Sequence, residues 1–325
     1  MPQHRTADRP NHLDGEAGRF KRKARLRGSM PKSGEPNASP LGPVDLAWAD
    51  RIIHGDAGEV LDRLPAASVH LAVTSPPYNV GIRYQGYSDD RSYEEYLRWL
   101  SGIGRSLHRV LVPGGRFALN VAPTSIKNFR PIHHDLAREL KADGYILRTE
   151  IIWYKQTMGR RTAWGSWRSP ANPHVIPSWE YVLVFSKGSM RLDGDKSMID
   201  ISSKEFQTIS DGFWAIPPER NRRGHPAPFP WELIERLVRF YTYRGNTVLD
   251  MFGGTGTVAA VARANGRHFI SIDAAAEYCE LALRRVGTAE PTAPGRIFSA
   301  PDRVTEAVEL TRHRRKPRLS VPRAR

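Results

Sequence analysis

The sequence predicts an α/β fold: a doubly wound, mostly parallel sheet occupying residues 46–290. Three observations support this. Short apolar runs, read as strands, recur at 69–74, 116–121, 145–154, 181–185, 247–249 and 268–272. Stretches with apolar residues at helical spacing separate most of them. Two unusual loops, one rich in proline and one in glycine, follow directly on strand runs, where ligands of such sheets collect.

Taken in order, residues 69–74 (VHLAVT) run straight into Ser75-Pro76-Pro77-Tyr78, and two consecutive prolines cannot continue a ladder, so the strand ends in a rigid loop. Residues 93–110 place Tyr93, Tyr96, Leu97, Leu100, Ile103 and Leu107 on one helical face. Pro113-Gly114-Gly115 reads as a turn before the next strand. A helix is expected at 132–141, and 181–185 is a strand after a long irregular stretch. An amphipathic helix at 231–240 leads to the strand at 247–249, a glycine loop and a helix at 257–264. The strand at 268–272 ends at Asp273, and a helix over 275–285 closes the series.

Composition narrows the function. Lys and Arg number 49 against 34 Asp and Glu, a formal net charge of +15, which points to a polyanionic partner such as nucleic acid. Much of that charge lies in two tails without apolar periodicity, residues 1–45 and 291–325, where simple solvation is the alternative reading. The single cysteine, Cys279, excludes an internal disulfide, a cysteine zinc cluster and a Cys-x-x-Cys pair. With no apolar run near the about 18 residues of a membrane span and no hydrophobic signal core, a soluble, cytoplasmic protein is expected.

Two loops carry candidate chemistry. In Asp250-Met251-Phe252-Gly253-Gly254-Thr255-Gly256-Thr257 the glycines permit close approach of a ligand. Asp273, 23 residues after Asp250, ends the next strand, where a carboxylate can accept both hydroxyls of a ribose. The spacing matches neither G-x-G-x-x-G nor a P-loop, so an adenosine cofactor without pyrophosphate fits better than a dinucleotide. Alone, such a turn serves tight packing as often as binding. In Thr74-Ser75-Pro76-Pro77-Tyr78-Asn79, the Ser75 hydroxyl and Pro76 carbonyl can accept the two N–H bonds of a nucleobase amine, turning its lone pair toward an electrophile. Proline stiffness holds the carbonyl, and Tyr78 offers a face for stacking. The alternative is a proline-rich turn with a core tyrosine.

Together, and in this order, the two loops resemble those of the beta class of DNA amino-methyltransferases that use S-adenosylmethionine. His54-Gly55-Asp56 with 61–64 resembles the segment ahead of the catalytic loop in that class, whose Asp contacts the cofactor adenine. Gly224-His225-Pro226-Ala227-Pro228-Phe229-Pro230 resembles the segment lining the methionine pocket. The resemblance runs from about 51 to 286; Met251 departs from it, replacing a common proline. It implies a Rossmann-like methyltransferase fold in permuted motif order. It also implies catalytic Ser75, Pro76, Pro77 and Tyr78, and a cofactor site of Asp56, His225, Pro226, Asp250, Phe252, Gly253, Gly254, Gly256, Thr257 and Asp273. No metal is implied.

The implied reaction extrudes a base from double-stranded DNA and methylates its amine directly. Serine at the head of the loop favours cytosine N4, with adenine N6 the alternative in the same family. Cytosine carbon-5 chemistry would need a thiolate, and Cys279 sits in a helix where core packing is its expected role. An inserted region, about 155–223, is expected to read DNA through Arg160, Arg161, Trp164, Trp167, Arg168, Arg222 and Arg223, with Lys155 and Trp179 alongside. Residues 79–87 are candidates for a flap beside the pocket. The expected setting is a restriction–modification system with a separately acting endonuclease, the protein being a monomer or homodimer. Competing readings are a related enzyme acting on RNA or a protein amide, a DNA-binding protein that has lost catalysis on this fold, and a dehydrogenase, disfavoured by its glycine spacing.

Overall fold

The computed structural model describes residues 47–78, 91–122, 129–156, 165–220, 224 and 227–290, all within the compact unit Pro43–Arg325. The strands are β1 (Arg51–His54), β2 (Val69–Thr74), β3 (Leu111–Val121), β4 (Tyr145–Tyr154), β5 (Trp179–Lys187), β6 (Phe213–Ala215), β7 (Thr247–Asp250) and β8 (His268–Asp273). They form one sheet in the order β1-β8-β7-β2-β3-β5-β4-β6. Neighbours from β1 through β3 are parallel; β5 runs antiparallel to both β3 and β4, and β6 is parallel to β4.

The helices are α1 (Ala57–Arg63), α2 (Tyr93–Val110), α3 (Ile132–Ala142), α4 (Ser203–Ile209), α5 (Trp231–Tyr241), α6 (Thr257–Ala264) and α7 (Ala276–Gly287). Strand alternation sorts the core into two layers. Phe117, Leu119, Leu183 and Phe185 pack with Leu61, Leu107 and Leu136 from α1, α2 and α3. Ala118, Val182 and Val184 from the same strands point the other way, against Leu233 and Leu237 of α5 and Val258 of α6. Helices therefore cover both faces, as double winding requires. Among the described residues no helix is long and apolar enough to cross a membrane.

The chain leaves β2 through α2 to β3 on one side, and leaves the adjacent β7 through α6 to β8 on the other. Those diverging crossovers open a crevice at the carboxyl ends of β2 and β7, the topological switch point of the sheet. Both loops singled out in the sequence begin there.

Pro113-Gly114-Gly115 is a bulge inside β3 and not a turn ahead of it. Pairing with β2 jumps from Val69↔Leu111 to Leu71↔Arg116. Gly114 has φ 73°, and a Cβ there would stand 1.8 Å from the Arg191 carbonyl oxygen, so only glycine fits. The Arg116 guanidinium donates to the carbonyls of Gly114 and Met190, fastening the bulge to the chain after β5. Four short elements lacked a period long enough to read: β1, α1, α4 and β6. Local bonds hold the first helices' ends instead. Asp56 caps α1, while Ser202 and Glu205 form a capping box on α4.

The segment 155–223, expected to read DNA as one insert, is divided. Its middle, β5, is an interior strand of the sheet. Beyond β5, Asp200 pairs with Arg267 at the foot of β8, and Met198 accepts from the Arg244 N–H. Those contacts tie residues 198–200 to the amino-terminal edge of the sheet, opposite the crevice.

Candidate active site

At the end of β2, the Thr74 hydroxyl donates to Asp250 Oδ1 at 2.7 Å, where β7 gives way to the glycine loop. Both residues are buried. The same oxygen accepts the Phe252 N–H at 3.1 Å. Beyond it, Gly253 N–H donates to the Ile272 carbonyl at 2.8 Å. Gly254 N–H donates to Asp273 Oδ2 at 2.7 Å, and Ala275 N–H to Asp273 Oδ1 at 2.8 Å. The proline corner, the glycine loop and the end of β8 are thus joined by named bonds.

These segments line one cavity of about 520 Å³. Around it stand Asp56, Ser75, Pro76, Pro77, Tyr78, Asp250, Phe252, Gly253, Gly254, Thr257 and Asp273, all among the residues expected at the site. Ala227, Pro228 and Phe229 also line it, whereas His225 and Pro226 beside them lie outside the described residues. So do Arg160, Arg161, Trp164, Arg222, Arg223 and the 79–87 segment. Trp167, 66% exposed, and Arg168, also exposed, sit on the turn closed by the Gly165↔Pro173 bridge, outside the cavity lining.

Gly256 departs from expectation. It does not line the cavity: at φ 75°, a Cβ on it would stand 2.6 Å from the Ala282 Cβ, so its role is to let α6 start against α7. Gly253 serves packing as well as the cavity, since a Cβ there would meet the Ser271 hydroxyl at 2.0 Å. Met251 is buried in the core beneath the loop. Cys279 is buried too; desolvation pushes its thiol up to about 11, which removes it as a nucleophile.

The cavity is acidic. Asp56, Glu180, Glu219, Asp250 and Asp273 face Lys155, the single lysine or arginine among its lining residues. Burial pushes Asp250 up to about 7, with nearby Asp273 adding to the shift, against the hydrogen bonds from Thr74 and Phe252. Burial also raises Asp273, opposed by the N–H groups of Ala275 and Gly254. Buried carboxylates held at this cost suit a cationic ligand. The two bonds that make Asp56 the cap of α1 both fall on Oδ1, leaving Oδ2 to accept from a ligand.

Three polar side chains at the site went unforeseen as site residues. Tyr78 Oη, whose pKa burial and then Glu180 push well above 10, sits 2.9 Å from Ser75 Oγ and 3.1 Å from both Asn120 Oδ1 and Glu180 Oε2. Glu180 forms an ion pair with Lys155, whose ammonium stands 4.7 Å from the Trp153 ring centroid. Trp99 of α2 closes another wall, 5.6 Å from the Phe252 ring. Glu180 opens β5, and because β5 runs antiparallel to β3 its first residues reach the edge where β3 ends. No local pattern marks that.

Residues 69–284 match the family model of N6/N4 methyltransferases, described as DNA methylase. This chain belongs to that family of DNA methylases. The methylase is 31% identical to the DNA adenine methyltransferase YhdJ of Escherichia coli K12, over 74% of this chain and 84% of that one. It is 38% identical to the type II methyltransferase M.MjaVI of Methanocaldococcus jannaschii, over 49% of this chain and 82% of that one. Among solved structures it resembles a DNA modification methylase of Thermus thermophilus, TTHA0409, complexed with S-adenosyl-L-methionine, with TM-score 0.61, 31% identity, and coverage of 75% of this chain and 96% of that one. The PvuII methyltransferase, named as cytosine-N4-specific, shares the fold at TM-score 0.58 and 20% identity, with coverage of 81% and 91%.

Gly256→Ala tests the packing role of that glycine. A left-handed alanine costs about 1–2 kcal/mol and overpacking about 1–3 kcal/mol. The methylase should melt roughly 5–10 °C lower, with cofactor affinity at low temperature nearly unchanged; a calorimetric scan and a binding titration check both.

Proposed function

We propose that this DNA methylase uses S-adenosylmethionine to methylate the N4 amino group of cytosine at a specific site in double-stranded DNA. The observation that carries the reading is the common cavity of the serine–proline corner and the glycine loop, joined by the Thr74–Asp250 bond. Ser75 at the head of the corner, a neutral acceptor, supports cytosine. Adenine N6 is the second reading, favoured by the 31% identity to a protein named as an adenine methyltransferase.

The residues present fit the cofactor. Bound there, S-adenosylmethionine supplies a methyl group activated by a sulfonium. Asp273 accepts from ribose hydroxyls, Asp56 Oδ2 from the adenine amine, and the N–H groups and ring of the 250–254 loop frame the body of the ligand. Asp250, buried and unfavourably charged, gains from a nearby positive charge. On the substrate side, Ser75 and the Pro76 carbonyl hold the target amine, and the Tyr78 ring supports the extruded base. The chain contributes alignment and acceptors; prolines keep both from drifting.

DNA reading is assigned to the two parts of the insert on the cavity side of the sheet, 155–178 and 216–223. The first carries Arg160, Arg161, Trp164, Trp167 and Arg168; the second carries Arg222 and Arg223. Arginines of this kind serve phosphate and guanine contacts. The relatives named as type II methyltransferases support a protective role beside a separate endonuclease.

Long-read sequencing of DNA from a methylation-free host expressing the gene should show N4-methylcytosine at one recurrent sequence. N6-methyladenine there instead would establish the second reading, and neither mark would defeat both. Tyr78→Ala should lose stacking of about 1–3 kcal/mol and lower turnover while sparing cofactor affinity. Asp273→Ala should weaken cofactor binding first; unchanged affinity would remove its ribose role. A cationic ligand binds the charged form of Asp250, whose pKa is about 7. Affinity should therefore rise with pH through 7, falling about ten-fold per unit below it, and Asp250→Asn should abolish that component in calorimetric titrations.

A further inference from the structure

A serine hydroxyl both donates and accepts, and only one of those functions suits Ser75. If its hydrogen pointed at the target amine, it would engage the lone pair that has to attack. The hydrogen must be committed elsewhere so that the oxygen meets the amine as an acceptor. The bonding around Tyr78 supplies that commitment.

Tyr78 Oη has one hydrogen and three polar neighbours within 3.1 Å: Ser75 Oγ, Asn120 Oδ1 and Glu180 Oε2. Asn120 is oriented by its own amide, which donates to the Tyr181 carbonyl at 3.1 Å, so its oxygen faces the phenol. Glu180, buried and paired through Oε1 with Lys155, turns Oε2 to the phenol. Both are acceptors, so the phenol hydrogen goes to one of them. The phenol oxygen is then left to accept, and the Ser75 hydrogen is drawn to it at 2.9 Å. Hydrogen-bond direction propagates outward from a buried ion pair to the serine.

We propose that Glu180, anchored by Lys155, is a positioning residue that sets the direction of the Tyr78–Ser75 hydrogen-bond chain and so presents Ser75 to the target amine as an acceptor. The proposal rests on the reading of Ser75 as the amine-binding residue given above. It explains why a carboxylate that reaches no reacting atom through its own bonds lies buried at this corner.

The isosteric amide separates direction from shape. In Glu180→Gln, Lys155 holds the amide oxygen, which turns the NH2 group to Tyr78; the phenol then accepts from it, and its hydrogen is free to turn toward Ser75. Single-turnover methylation of duplex DNA should slow at least ten-fold. The dissociation constants for S-adenosylmethionine, by calorimetry, and for duplex DNA, by fluorescence of a 2-aminopurine target, should stay within about two-fold. In a Tyr78→Phe background, which removes the relay oxygen, E180Q should slow the reaction less than two-fold further. Glu180→Met offers the phenol no donor and leaves Asn120 to set direction, so it should retain more activity than E180Q.

The same rate factor for E180Q in both backgrounds would overturn the proposal, because Glu180 would then act without the phenol. So would a loss confined to DNA or cofactor affinity, or a methionine variant slower than the glutamine one. If the native protein transfers no methyl group to duplex DNA, both the proposal and the functional reading fall. Transfer by the native protein with an additive mutant cycle removes the positioning role alone.

Discussion

One buried hydrogen bond, Thr74 Oγ1 to Asp250 Oδ1, holds the working part of this methylase together. It crosses from β2 to β7, neighbours whose chains depart to opposite faces of the sheet. At that divergence the backbone opens a crevice, and nothing in the parallel ladder itself would keep its two lips in register. A threonine that can only be satisfied by the aspartate, and an aspartate that also tethers the Phe252 N–H, do so. The proline corner and the glycine loop inherit their relative placement from this contact.

Acidity around the cavity is the electrostatic counterpart of that geometry. Asp250 and Asp273 are held where burial raises their pKa values, an arrangement that stability alone would not select. Their charge becomes favourable when a cation lies between them. On the other side of the cavity Glu180 has its own ammonium, from Lys155, and is bonded inward to Tyr78. The carboxylates thus divide between those left to meet a ligand and one already neutralised within the protein.

The larger elements were legible because their signals are periodic and local. The strand alternation of β2 and β8, the helical stripe of α2, and the boundaries of α6 match the expected ranges to within a residue. Elements of three to seven residues, such as β6 and α4, were not, since their stability comes from neighbours: α4 depends on the buried pair of Glu205 with Arg239 of α5. The bulge at Gly114 was mistaken for a turn because a left-handed glycine looks the same in sequence whether the chain reverses or merely steps sideways. Gly256 was taken for a ligand contact for a similar reason; that α7 presses on it is a fact about a helix some 20 residues further along.

Order and chemistry of the motifs were therefore readable from the chain: a proline corner able to hold an amine, a glycine loop with a carboxylate one strand later, and an alternation that puts both at carboxyl ends. Such features depend on residue type and short spacing. Which residues meet across the sheet was decided by packing. Antiparallel pairing of β5 carries Glu180 and Lys155 to Tyr78 from more than 75 positions away, and the same strand divides the insert that composition had presented as a single region. Contacts of that range follow from strand order and direction, and these are settled only when the two core layers close over the sheet.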